Sequence, residues 1–319
     1  MVRCPVDDGR LEPEAGAFRC RECSRAFPVE DGIVELLAPG RSPDDVAAKW
    51  VADEMDWWGE WYEGMPIKPH DPHRGLRGRT RERHLFRHVR GRVGDSPVVV
   101  EMGAGPSLTM GGLWNPDREG VRYVATDLAR PGLLAGAGTR GVQSAAIQCD
   151  AGTWPFRAAT VDVVLMLGVL HHLPDWEEAL RRACESVRPG GYLLLHEVVS
   201  KPRIFARRRS KGVTDDWSSP HEGHVSGPDL RRVLESGGTI LRWRGESSPL
   251  RFALMHYLHL QGCLEDSRAL TAGLDLLDQG FGRTLGRVRP SLGFGEVTGV
   301  WQRQAPPGDR DHRRVRGRV

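Results

Sequence analysis

Lysine is almost absent from this 319-residue chain, and arginine supplies nearly all of its positive charge. That bias marks a GC-rich coding sequence more than a functional choice. Long apolar runs are also missing. The longest apolar stretch, Val161 to Leu170, is about half of the ~20 residues a membrane-crossing helix needs, so no membrane partner is expected. The opening residues lack the apolar segment of a secretory leader, which points to the cytoplasm. Excess charge is small: 45 Lys plus Arg against 42 Asp plus Glu, a net +3. The tail 305–319 accounts for it, with Arg310, Arg313, Arg314, Arg316 and Arg318 against Asp309 and Asp311. The remaining body is neutral, which argues against a general nucleic-acid binder. The tail opens on Pro306-Pro307-Gly308 and reads as a disordered basic segment.

What is present is the composition of a globular enzyme. With 39% hydrophobic and 27% charged residues, wholesale disorder is excluded. The length suggests about two domains and a core that needs no disulfides.

The six cysteines divide into two groups. Cys149, Cys184 and Cys263 are scattered in apolar surroundings and read as reduced core thiols. Cys4, Cys20 and Cys23 cluster, and Cys20-x-x-Cys23 is half of a zinc-ribbon spacing. The place of a fourth cysteine is held by Asp7. A carboxylate oxygen can ligate zinc, so Cys4, Asp7, Cys20 and Cys23 are the candidate metal set, with Asp8 as a substitute for Asp7. The alternative is a degenerate ribbon that has shed its metal. Cys4-Pro5, Gly9-x-Leu11, Cys20-x-x-Cys23 and the phrase from Phe27 to Leu37 together resemble the small zinc-ribbon family that activates tRNA and protein methyltransferases. The resemblance covers residues 1–40. The missing fourth cysteine is its departure.

Residues 41–75 read as a linker followed by an aromatic helix, capped by Asp44 or Asp45 and running through Trp50 toward Trp58. Trp58, Trp61 and Tyr62 make it a candidate lid over a substrate, against the plainer reading of a helix packed on the main domain. A basic helix is expected over Gly75–Arg92.

From Val98 onward, apolar runs alternate with helical or loop segments. Strands are expected at Val98–Val100, Tyr123–Thr126, Ala145–Gln148, Val161–Leu167, Tyr192–Val199 and Thr239–Trp243, with a closing edge strand at Val297–Trp301. A helix is expected over Asp175–Val187, stopped by Arg188-Pro189-Gly190-Gly191. This alternation implies an α/β, Rossmann-like, seven-stranded and mostly parallel sheet with helices on both faces, over residues 76–304. A helical cap is expected near 250–290.

Strand ends carry the chemistry. Gly103 and Gly105 permit a sharp turn and close backbone approach to a ligand, although Ser107 stands where a dinucleotide pattern has its third glycine. Asp127 ends the second strand, placed to accept ribose hydroxyls. Asp150 follows the third. The motifs EMGAGPS, YVATDLA, CDAGTWPF, LGVLHHLPDWEEAL and VRPGGYLLLHEV, in that order, resemble the class I S-adenosylmethionine-dependent methyltransferases, particularly the small-molecule branch. The resemblance implies S-adenosylmethionine as cofactor. It places Glu101 and the Gly103, Ala104, Gly105 turn at the methionine end, and Asp127 with Leu128 at the ribose. Asp150 with Ala151 falls at the adenine, and Leu167 with Gly168 forms the floor.

The acceptor side should lie at the ends of strands four and five. His171, His172, His196 and Glu197 fall there, and strand alternation predicts that one of each neighbouring pair faces the site. The same resemblance suggests His171 as general base, with Glu197 as its orienter or as a ligand of the substrate hydroxyl, and His172 as the alternative. Trp217, His221 and His224 form a further candidate substrate segment, and residues 203–211 a basic one. The reading is O-methylation of a small-molecule acceptor, a secondary metabolite or its biosynthetic intermediate. The alternatives are an RNA methyltransferase with an N-terminal ribbon and a catalytically silent cofactor-binding partner. Against RNA stand the neutral body and the absence of an Asn/Asp-Pro-Pro-Tyr/Phe motif after strand four. Homodimer formation stays open.

Overall fold

The computed structural model describes residues 1–38, 46–64, 86, 88–89, 92–106, 120–137, 144–199, 225–245, 273–274, 276–277, 280, 284 and 296–304; for 46–50, 61, 63 and 64 it describes the backbone alone. Trp217, His221, His224, the side chain of Trp61, the segment 203–211, the tail 305–319 and most of 74–92 and of the 250–290 cap lie outside the described residues.

The chain opens with four short strands: β1 (Leu11–Glu14), β2 (Ala17–Cys20), β3 (Ala26–Glu30) and β4 (Ile33–Glu35). Asp31 and Gly32 both take positive φ, 52° and 73°, between β3 and β4. This is the Asp-Gly turn whose twist matches a tight hairpin. Helix α1 follows (Val46–Gly64), then β5 (Val98–Met102), β6 (Arg122–Asp127), α2 (Arg130–Ala135), β7 (Ser144–Gln148) and β8 (Val161–Leu167). A single 3-10 turn (Leu170–His172) leads to α3 (Trp176–Ser186), β9 (Val187–Val198), α4 (Gly227–Gly237), β10 (Gly238–Gly245) and β11 (Glu296–Arg303). Asp175 caps α3 by accepting from the Glu178 backbone N–H at 3.2 Å, and Ser226 caps α4.

Strand order is β1-β2-β3-β4-β7-β6-β5-β8-β9-β11-β10. The pairs within β7, β6, β5, β8 and β9 are parallel, and β11 runs antiparallel to both β9 and β10. The seven strands expected from the sequence are all present. Along β5, side chains alternate between two cores. Val98, Val100 and Met102 face the layer holding Leu180, Ala183, Leu230 and Leu234. Val99 faces the opposite layer, with Phe86, Val89 and Leu133. None of the described helices is long and apolar enough to cross a membrane.

Three local expectations change. The ribbon's strands continue the main sheet, because β4 pairs in parallel with β7, Val34 opposite Ile147. Leu36, fully buried, donates its N–H to the Gln148 carbonyl at 2.8 Å. Cys4, Phe27 and Leu36 therefore share one apolar core with Ile147, Trp154 and Phe156. Secondly, Arg188-Pro189-Gly190-Gly191 does not precede β9 but lies inside it. Gly190 takes φ +77°, and the β8–β9 register slips between Val161 and Val163, the signature of a bulge. Thirdly, β11 is internal and β10 forms the edge. Trp301 on β11 is buried, its indole N–H donating to the Leu234 carbonyl at 2.7 Å. Apolar alternation looks the same on an edge strand and on an internal antiparallel one, so only this packing separates them.

Candidate active site

Parallel strands bring their C-terminal ends to one rim, and the first residues beyond them are the ones a ligand meets. Beyond β5, Gly103 and Gly105 both adopt positive φ, +65° and +48°. A Cβ on Gly103 would meet Val169 at 2.6 Å, so the turn tolerates no side chain there. Glu101, buried on β5, accepts a short hydrogen bond from the Tyr123 hydroxyl.

Asp127, ending β6, is held from both sides. Its Oδ2 accepts from the Gly105 N–H at 2.7 Å and its Oδ1 from the Ala129 N–H at 2.8 Å. Burial pushes its pKa up to about 6, against the pull of those amides. A carboxylate so held keeps acceptor capacity, which suits ribose hydroxyls. Asp150, beyond β7, accepts from the Gly152 N–H at 2.8 Å. Ala151, Leu128, Leu167 and Gly168 are half-buried along the same rim. Every described residue expected at the cofactor site thus lies on one rim.

On the acceptor side, Glu197 is 0% exposed. Its Oε2 accepts from the backbone N–H groups of Leu170 at 2.8 Å and Val169 at 3.2 Å. Its Oε1 accepts from the Val198 N–H at 2.8 Å and makes a short hydrogen bond with His171 Nδ1. Both oxygens are thus engaged by protein donors. Of the two roles expected for Glu197, the geometry suits the orienter. His196 turns the other way, to Glu296 at 3.5 Å, as alternation requires.

His171 and His172 depart from the alternation rule. They sit on a 3-10 turn, where successive side chains are separated by about a third of a turn. Their rings lie side by side, centroids 4.0 Å apart. Burial, then the neighbouring His171, lowers the His172 pKa to about 3.

Helix α1 reaches this site. Glu54, 3% exposed, accepts from the Trp58 indole N–H at 3.0 Å and faces His172 Nδ1 at 3.5 Å. Trp58 meets His172 edge-on at 5.2 Å and stacks on Tyr62 at 5.6 Å. Glu54 was not anticipated as a site residue. The signal was available: positions 54, 58 and 62 are spaced by four and share one helix face with the two aromatics.

A second cluster lies in the ribbon. One ligand atom from each of Cys4, Asp7, Cys20 and Cys23 falls within 4.8 Å of the others. Cys4 and Cys23 Sγ atoms are 3.7 Å apart, and tetrahedral zinc with bonds of ~2.3 Å sets two sulfurs about 3.8 Å apart. Cys20 Sγ lies 3.3 Å from Asp7 Oδ1. The donor set fits a structural zinc. Asp8 is 68% exposed and paired with Arg3 at 3.2 Å, so Asp7 is the fourth member. A Cβ on Gly9 would lie 2.5 Å from Cys20 Sγ, which explains a glycine beside the cluster.

Residues 100–195 match the methyltransferase domain family, and residues 1–32 match the Trm112p-like protein family. Methyltransferase str2 of Strobilurus tenacellus is 33% identical over 81 residues, covering 25% of this chain and 23% of that protein. The highly reducing polyketide synthase acrA of Aspergillus aculeatus is 25% identical over 181 residues, covering 54% of this chain and 7% of that protein. The chain spans less than a quarter of the length of these curated relatives. Among solved structures, a geranyl diphosphate C-methyltransferase from Streptomyces coelicolor A3(2), in complex with Mg2+, geranyl diphosphate and S-adenosyl-L-homocysteine, superposes with a TM-score of 0.52. It is 15% identical over 80% of this chain and 98% of that one. That likeness shows the fold.

Proposed function

We propose, for a chain whose residues 100–195 match the methyltransferase domain family and whose residues 1–32 match the Trm112p-like family, an S-adenosylmethionine-dependent methyl transfer to a hydroxyl of a small molecule. S-Adenosylmethionine supplies a methyl group already activated on sulfur. The protein must then align the acceptor, exclude water and remove one proton.

The observation that carries the reading is the buried Glu197–His171 pair beside the glycine turn. Glu197 accepts at His171 Nδ1, which fixes the ring tautomer and leaves Nε2 as the proton acceptor. A hydroxyl placed at Nε2 would lose its proton there as its oxygen takes the methyl group, the methyl–sulfur bond breaking to leave neutral S-adenosylhomocysteine. His172, with its pKa near 3, is too weakly basic for that work near neutrality. Glu101, the Gly103–Gly105 turn, Asp127 and Asp150 hold the cofactor in this reading, and Trp58 walls the acceptor side. The relationship to a polyketide synthase supports a secondary metabolite as acceptor.

The test uses methyl-labelled S-adenosylmethionine, the purified chain and a cell extract separated into small molecules, RNA and protein. Label is expected in the small-molecule fraction, and His171→Ala should reduce it at least a hundredfold. Label in RNA or protein overturns the acceptor class. Full turnover by His171→Ala removes the base and, with it, the preference for oxygen.

A further inference from the structure

Helix α1 lies outside the residues matched by either family model, yet it enters the cofactor side of the site as well as the acceptor side. Two glycines show where. A Cβ on Gly105 would lie 2.4 Å from the Tyr62 hydroxyl oxygen, and one on Gly132 would lie 2.8 Å from the edge of the same ring. Side chains missing from the cofactor turn and from α2 therefore open a groove, and a protein aromatic ring fills it. Trp58 stacks on that ring, so its place is set by α1 and not by a flexible stem.

The hydroxyl is in an acidic setting. Burial raises the Tyr62 pKa well above 10, and the nearby charges of Asp127 and Glu101 raise it further. The phenol stays protonated and is a hydrogen-bond donor at every working pH. Two of the backbone donors of the cofactor turn are engaged within the protein: the Gly105 N–H is given to Asp127 and the Ala104 N–H to the Thr126 carbonyl. A ligand carrying a carboxylate and ribose oxygens needs donors there as well as the acceptors that Asp127 and Glu101 provide.

We propose that Tyr62 is a cofactor-binding residue, closing the cleft at the Gly103–Gly105 turn and donating its hydroxyl hydrogen bond to bound S-adenosylmethionine. The sequence places Tyr62 with the acceptor-side aromatics; the groove between Gly105 and Gly132 moves it to the cofactor. The site is then completed by a helix that precedes the matched domain. The same helix carries Trp58 and Glu54 against His172, so cofactor contact at Tyr62 and acceptor contact at the histidines share one rigid element. This rests on the reading that the chain binds S-adenosylmethionine.

Titration calorimetry with S-adenosylhomocysteine on the full chain tests it, with thermal melts alongside. Tyr62→Phe keeps the ring in its groove and loses only the donor; its affinity should fall about fivefold, or ~1 kcal/mol. Tyr62→Ala should fall at least tenfold. Asp127→Asn, the reference for a lost cofactor contact, should also bind weakly. If Asp127→Asn loses binding while both Tyr62 variants keep the unmodified affinity, Tyr62 is only a wall and the proposal fails. Tighter binding by Tyr62→Ala also overturns it, by showing that the ring excludes the ligand. No binding by the unmodified chain overturns the cofactor reading itself.

Discussion

Cofactor affinity should depend on pH through Asp127. Burial holds this carboxyl at a pKa of about 6 in the ligand-free protein. In the proposed cofactor site ribose hydroxyls donate to the ionised form, so binding there should favour the charge and lower the pKa in the complex. Affinity therefore rises with pH through about 6 and levels off above it. At about pH 5 only about a tenth of the carboxyl is ionised, so affinity should be roughly tenfold below its plateau, ~1.4 kcal/mol. At about pH 6 each binding event should release roughly half a proton. Two neighbouring groups do not titrate in this window: Tyr62 ionises well above 10 and His172 near 3. Calorimetry with S-adenosylhomocysteine, in buffers of different ionisation enthalpy, reads affinity and proton release together. Asp127→Asn should flatten the profile. An affinity constant from about pH 5 to pH 8, or binding at pH 6 without proton release, would refute the role of Asp127. The same carboxyl sets a stability trend in the ligand-free protein. Its folded pKa exceeds the ~3.9 of an unfolded aspartate, so its contribution is full below about pH 4 and is lost as pH rises through about 6.

Three further outcomes follow from packing. Glu197→Gln places an amide NH2 against two of the four donors that Glu197 now accepts; at about 1–3 kcal/mol for each stranded donor, the melting point should drop by roughly 5–10 °C, and a change under a degree contradicts the hydrogen-bond account. Gly132→Ala sets a methyl 2.8 Å from the Tyr62 ring; calorimetry should show weaker cofactor binding, and the fold should lose about 1–3 kcal/mol in urea unfolding. The purified chain should carry about one zinc, measured by elemental analysis, and Cys20→Ser should lose it. Because Cys4 and Cys20 belong to the main core, chelation should lower the melting point of the whole protein; zinc-free chain that melts unchanged would contradict this.

The parts legible in the sequence share a physical cause: their signals are local. Buried parallel strands read as apolar runs, so β5 and β8 begin at the expected Val98 and Val161, and β6 and β7 begin one residue ahead of the expected Tyr123 and Ala145. The cap at Asp175 needs only its neighbour Glu178. The glycine turn and Asp127 follow directly from strand ends. The misplaced start of β9 has a local cause too, because Pro and Gly signal a break whether they end a strand or bulge it. His171 and His172 defied the alternation rule because a 3-10 turn carries no apolar period long enough to announce itself.

The sequence by itself determined the α/β sheet, the rim on which the candidate cofactor residues lie, the Glu197–His171 candidates and the three cysteines of the ribbon. These depend on backbone preference and on spacing within one element or one loop. Only the tertiary structure decided that β4 lies along β7, that Asp7 rather than Asp8 joins the cysteines, that β11 is internal, that Glu54 faces His172 and that Tyr62 lies against Gly105 and Gly132. The pairs Val34–Ile147, Tyr62–Gly132 and Glu54–His172 are each joined across long stretches of chain. Such contacts are chosen by close packing and by the satisfaction of buried polar groups, and neither leaves a periodic mark on the sequence.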